Sequence, residues 1–145
     1  MDATSIEILS AEECLSYLRA EAVGRIAFVG KEYPIVVPVN YRLVEAGSRV
    51  RLVLRTRPGN VIDRAVRVAF EVDRVDTAHR TGWSVLVQGR LRHLTLPPDA
   101  DRAALDPQPW LADRDAWLEL TPVSITGRRL LPQGAAWAFD PAAYL

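Results

Sequence analysis

Apolar positions repeat along this chain with two different periods, and the change from one to the other divides it into elements. Near the start, Cys14, Leu15 and Leu18 fall at helical spacing on one face, with Tyr17 beside them. Ahead of them Ser10-Ala11-Glu12-Glu13 reads as a capping box, in which Ser at the N-cap and Glu at N3 satisfy two otherwise orphaned backbone donors. The pattern predicts a helix over about 10–21, with Gly24 marking its exit. From there the period falls to two. Residues 25–29 form a short apolar run, Lys31-Glu32 a polar turn, and 34–44 a longer β-branched run that ends at Glu45-Ala46-Gly47-Ser48. Val50, Leu52 and Leu54 alternate with Arg49, Arg51 and Arg55, and Val68, Phe70 and Val72 alternate with Ala69, Glu71 and Asp73. Trp83, Val85 and Val87 alternate with Ser84, Leu86 and Gln88 in a strand that runs on to about Leu94. A last strand is expected within 117–131, interrupted near Pro122. Two helical segments fall between strands: 60–66, and 97–105, which Pro97-Pro98-Asp99 opens and Pro107-Gln108-Pro109 stops.

Six strands separated by turn signals predict a mainly β domain with short helices, a closed or partly closed barrel rather than an open sheet. All 145 residues fit one domain: the N-terminal helix over about 10–21, the barrel over about 24–131 and a tail over 132–145. Pro38 stands out within it. A proline removes a ladder donor, so the second strand must bulge there or turn that nitrogen toward a cavity. Asn40 and Tyr41 follow at once, which makes this strand the first place to look for a ligand.

Composition narrows the function. Eighteen basic and eighteen acidic side chains cancel, which disfavours nucleic-acid binding by surplus cations. No apolar stretch approaches the roughly 18 residues that span a bilayer, and the first residues carry acids in place of a basic leader. The expectation is a cytoplasmic protein without membrane contact. Lys31 is the only lysine, so any anion held here is held by arginine forks or backbone N–H groups.

Signals for nucleophilic or metal chemistry are weak. Cys14 is alone and reads as a small buried hydrophobe; with two histidines it makes no zinc cluster. Ser84 lacks a nucleophile-elbow setting, and His79 and His93 lie in or beside strands with no patterned acid partner. The informative stretch is Arg55-Thr56-Arg57-Pro58-Gly59-Asn60, which ends a strand with two arginines and a hydroxyl and turns toward a short helix. Such a turn is either a phosphate site or a plain strand-to-helix connection with solvated arginines.

Several stretches, in order, resemble the flavin-binding split-barrel family, in particular its small pyridoxamine 5'-phosphate oxidase-like members common in actinobacteria. They are Glu13-Cys14-Leu15 with Val23-Gly24-Arg25-Ile26-Ala27-Phe28, then Val36-Val37-Pro38-Val39-Asn40-Tyr41, then Arg55-Thr56 before Pro58-Gly59. Val68-Ala69-Phe70-Glu71-Val72-Asp73, Thr81-Gly82-Trp83-Ser84-Val85, Gly89-Arg90 and Ile125-Thr126-Gly127-Arg128-Arg129 continue the series. The resemblance implies a six-stranded FMN-binding split barrel that forms a homodimer with two cofactor sites at the subunit interface. It implies that Val37, Pro38, Val39 and Asn40 lie along the flavin ring, and that Arg55, Thr56, Gly59 and Asn60 hold the phosphate. Trp83 and Ser84 then fall near the cofactor or the dimer seam; a core aromatic is the other reading of Trp83.

One departure stands inside the motif. Where the family commonly carries a phosphate-binding lysine, this chain has Val61. One lost charge-assisted hydrogen bond is worth about 1.5–3 kcal/mol, or one to two decades of affinity. Arg57 or Arg64 is within a turn of the site and can compensate. The implied activity is an FMN-dependent oxidoreductase acting on a small molecule, with coenzyme F420 as the alternative cofactor. The competing readings are a non-catalytic module for flavin or another planar ligand, and a vestigial site that holds no cofactor. Tyr41 and Arg42 are the only weak candidates for acid–base work above the ring. A half-open barrel also leaves apolar surface for a second copy to cover, with Tyr33, Trp110, Trp117 and Trp137 as candidate seam residues.

Overall fold

A computed structural model describes residues 4–59 and 66–132. Its elements run β1 (Thr4–Ile8), α1 (Ala11–Ala20), β2 (Val23–Val29), β3 (Pro34–Ala46), β4 (Arg49–Thr56), β5 (Arg67–Asp76), β6 (Thr81–His93), α2 (Arg102–Leu105) and β7 (Ala116–Pro132). All strand pairs are antiparallel. β2 to β7 close on themselves in the order β7-β4-β3-β2-β5-β6, with β6 returning to β7. The inward residues form one core. Ile26 and Phe28 of β2, Leu52 and Leu54 of β4, Phe70 and Val72 of β5, Val85 and Val87 of β6, and Leu118 and Leu120 of β7 are all buried. α1 plugs one end of the barrel with Cys14 and Leu18, and Ser10 caps it by accepting from the Glu13 N–H at 3.2 Å.

Four differences from the sequence pattern have physical causes. β1 is a seventh strand that the pattern does not mark, because Ser5, Ile6, Glu7 and Ile8 are exposed on both faces; backbone pairing of Thr4 to Ile8 with 128–132 of β7 holds it, helped by an Arg129–Glu7 ion pair at 3.0 Å. Gly24 does not end the helix, which stops at Ala20. It sits inside β2, where a Cβ would lie 2.2 Å from Cζ of Phe70. The segment 97–105 is helical only over Arg102–Leu105. Pro97 to Ala100 makes a tight turn instead, and Asp101 caps the short helix. Trp117 is not a seam residue: it is 8% exposed, beneath the guanidinium groups of Arg55 and Arg102. Helix 60–66 and Trp137 fall outside the described residues, except Val66, whose carbonyl accepts from Leu91 N–H at 2.8 Å.

The feature that positions the site is a split along β3. Residues 34–40 pair with β2, whereas the pairing with β4 begins only at Tyr41. There is no bulge at Pro38, since the register runs unbroken from Val23↔Asn40 to Val29↔Pro34. Tyr41 N–H donates to Ala22 O, so by strand alternation the Pro38 nitrogen faces away from β2, into the split. The missing donor therefore leaves no ladder bond unmade. Among the described residues no helix is long and apolar enough to cross a membrane.

Candidate functional site

The split opens into a cleft of about 310 Å³, the lower end of the range for small-molecule sites. One wall is apolar: Phe28 of β2 with Ile35, Val37, Pro38 and Val39 of β3. Asn40, Arg55 and Thr56 gather at one end. The third side comes from the connection between β6 and β7, through Pro109, Leu111 and Arg114. Six of the residues that the resemblance assigns to a cofactor thus line one cavity. Such a wall suits a planar ring, and the polar end suits an anionic tail.

Two of those side chains are already engaged. Arg55 Nη1 donates to both carboxylate oxygens of Asp106, at 3.0 and 3.2 Å, and its Nε donates to the carbonyl of Arg114 at 2.8 Å. Its guanidinium lies 4.9 Å from the Trp117 ring centroid. Burial opposes the charged form of Asp106, but the Gln108 N–H and Arg55 outweigh it and hold this carboxyl below its ordinary value. Asn40 Oδ1 accepts from Trp110 N–H at 3.0 Å. The 106–114 segment is therefore strapped across the cleft from both sides. Its path needs positive φ at Gln108 (52°) and Asp113 (58°), which non-glycine residues rarely adopt.

Trp83 and Ser84 lie elsewhere in the chain. Both belong to β6, and Trp83 stacks on Tyr17 with ring centroids 3.9 Å apart, beside a second cleft lined by Arg74 and Arg129. Gly59, at φ 79°, lies beyond the end of β4 and does not line the first cleft; Asn60, Val61 and Arg64 are outside the described residues. Arg57 is exposed and is not among the residues lining the cleft. Tyr41 drops out as an acid–base candidate: it is buried, its hydroxyl donates to Leu18 O at 2.7 Å, and burial pushes its pKa well up. Cys14 is the buried hydrophobe the pattern predicts, its thiol pushed up by burial. His79 does have an acid partner, Asp76 at 2.7 Å across an exposed hairpin turn. Among the described residues no group of three His, Cys, Asp or Glu could hold a metal.

The residues that sequence pattern misses are Asp106, Pro109, Leu111 and Arg114. They sit in irregular backbone with no period to read, and only the Trp110-Leu111 pair beside Asp113-Arg114-Asp115 hints at a purpose.

A small barrel split along one strand, with a half-apolar cleft in the opening, defines the class of molecule. The model of the pyridoxamine 5'-phosphate oxidase family matches residues 10–129, and the chain belongs to that family. An uncharacterised protein of Mycobacterium tuberculosis is 30% identical over 132 residues, covering 85% of this chain and 84% of the relative. An FAD binding protein from Mycobacterium smegmatis superposes with a TM-score of 0.64 at 28% identity, covering 86% of this chain and 98% of that one. An FAD-binding protein from Mesorhizobium loti gives 0.69 at 26% identity, covering 88% and 98%.

Proposed function

We propose that this protein binds a flavin nucleotide in the β3 cleft, at the interface of a homodimer, and serves as a flavin-dependent oxidoreductase for a small molecule. The observation that carries this reading is the cleft itself, which unites Val37, Pro38, Val39, Asn40, Arg55 and Thr56. The family and the flavin-binding names of two similar structures support a flavin, with FMN, FAD and coenzyme F420 as the candidates. When bound, such a group supplies the hydride chemistry. The chain's own part is to seat the ring on Val37, Pro38 and Val39, hold the anionic tail at the polar end and exclude water with the strap.

The outer face of the barrel supports the dimer reading. Val36, Ala27, Ala69 and Gln88 form one row across β3, β2, β5 and β6. Beside them Val29 and Val123 are highly exposed and edge a shallow apolar cleft of about 540 Å³. A surface of this kind on a small barrel suits a second copy.

One observation favours the non-catalytic alternative. No carboxylic acid, histidine, cysteine or tyrosine lines the cleft among the described residues, so proton delivery falls to the ligand, water or the partner copy. The test is the visible absorption of the purified protein, followed by anaerobic mixing of the flavin-loaded form with reductants and candidate substrates. A flavin band that bleaches and then returns with substrate supports the oxidoreductase; a band that never changes supports the binding module; no band and no uptake of added FMN, FAD or F420 rejects both.

A further inference from the structure

We propose that a cleft at the far end of β4 from the β3 split is a second binding site, which takes a small molecule bearing a phosphate group on the guanidinium groups of Arg49, Arg51 and Arg92. It shares no lining residue with the β3 cleft, so it stands whether or not a flavin binds there.

The cleft encloses about 590 Å³, within the range of small-molecule sites. Register and strand alternation assemble its walls on the outer side of the barrel. Val44 and Ala46 of β3 stand opposite Arg51 and Arg49 of β4, and Arg92 of β6 stands opposite Glu119 of β7. Glu45, between the two β3 residues, turns the other way, where its carboxylate accepts from Arg19. Among the described residues that line the cleft, Glu119 is the one acid against three arginines, which leaves two positive charges in excess.

Glu119 makes these arginines an arranged set rather than a run of solvated side chains. It is 3% exposed, and it spends one carboxylate oxygen on Arg51 Nη1 at 2.6 Å and the other on Arg92 Nε at 2.8 Å. Guanidinium groups from the strands on either side of β7 are thereby held in place before any ligand arrives, so less side-chain entropy is lost on binding. Neither is exhausted. Among the described residues the Nε and Nη2 of Arg51 and the Nη1 of Arg92 have no acceptor, and Arg49 is exposed and enters no ion pair. Such donors suit an oxyanion with two charges, which a guanidinium fork takes by parallel bonds. Val44, Ala46 and Pro122 supply an apolar side for the rest of the ligand, and Ser48 and Thr121 add hydroxyls. A monocarboxylate would leave the cleft positive, whereas a phosphate monoester balances it.

The probe is phenyl phosphate, a dianion on a small apolar body, with benzyl alcohol as the uncharged control and succinate as a dianion without phosphorus. Calorimetric titration of the wild type at neutral pH should show saturable binding of phenyl phosphate and none of benzyl alcohol. The two-dimensional amide spectrum should shift at 44–51, Arg92 and 119–122. Arg92→Ala should weaken phenyl phosphate by about 10-fold, the loss of one charge-assisted contact. Arg49→Ala, at an exposed position whose replacement does not threaten the fold, should weaken it by about 3-fold. Arg57→Ala, outside the lining of both clefts, should change nothing. Succinate binding as tightly as phenyl phosphate would overturn the phosphate assignment. Full affinity in both Arg92→Ala and Arg49→Ala, shifts at 35–40 and 109–114 instead, or binding that never saturates would overturn the site.

Discussion

Glu119 is 3% exposed on the outer side of β7, and it is tolerated there because two arginines reach it from neighbouring strands. Arg51 Nη1 of β4 donates at 2.6 Å and Arg92 Nε of β6 at 2.8 Å. Burial alone would raise this carboxyl, but those bonds and the two positive charges outweigh it and bring it below its ordinary value of 4.5. A carboxyl lowered by folding stabilises the fold above its unfolded pKa and loses that contribution as pH falls through the folded value. The melting temperature should therefore fall on acidification below about pH 4.5, and Glu119→Gln should flatten this limb, with differential scanning fluorimetry across pH 3–7 as the check. Glu119→Ala should cost about 1–3 kcal/mol, the loss of hydrogen bonds to a charged group while the two half-open or exposed guanidinium groups return to water. At this scale sequence is a partial guide. Pro38 announces the split because a proline in a strand must lose a donor somewhere, whereas Arg114 has no pattern to betray it. Arg55 was legible as an important arginine but not in its direction, since Asp106 is 51 residues away.

Strands are legible where one face is buried and the other more open, as in 68–72, because alternation and burial are then the same signal; in β4 the outward Val53 is buried as well. β1 escaped this logic. It is held by its backbone partner more than a hundred residues away, and its side chains carry no contrast. α2 is shorter than the pattern over 97–105 predicts, because prolines at a helix start also favour the tight turn that Pro97–Ala100 makes. Gly24 matters for its missing side chain inside β2, not as a helix exit. It is the point where β2 admits the edge of Phe70, and the ring in turn meets Tyr41 edge-on at 4.8 Å. Gly24→Ala should destabilise by about 1–3 kcal/mol through overpacking, and Phe70→Leu in the same chain should recover part of the loss. Chemical denaturation of the two single variants and the double variant checks this. If the effects simply add, the contact is not the cause.

For the whole molecule, the barrel order leaves the outer row Val36, Ala27, Ala69 and Gln88 uncovered, and the cleft opens on the adjoining edge of β3. Light scattering of the wild type at micromolar concentration should give twice the 16.1 kDa chain mass, and Val36→Asp with Val123→Asp should return a single chain that keeps its strand circular dichroism. A wild-type particle of one chain mass would remove the interfacial site. The central claim, that the opening in β3 is where a flavin sits, is tested most directly by the two-dimensional amide spectrum of the protein titrated with FMN. The account predicts saturable shifts confined to 35–40, Arg55, Thr56 and 109–114, the two walls and the strap. Shifts that gather instead around Trp83 and the cleft lined by Arg74 and Arg129, or that never saturate, would contradict it.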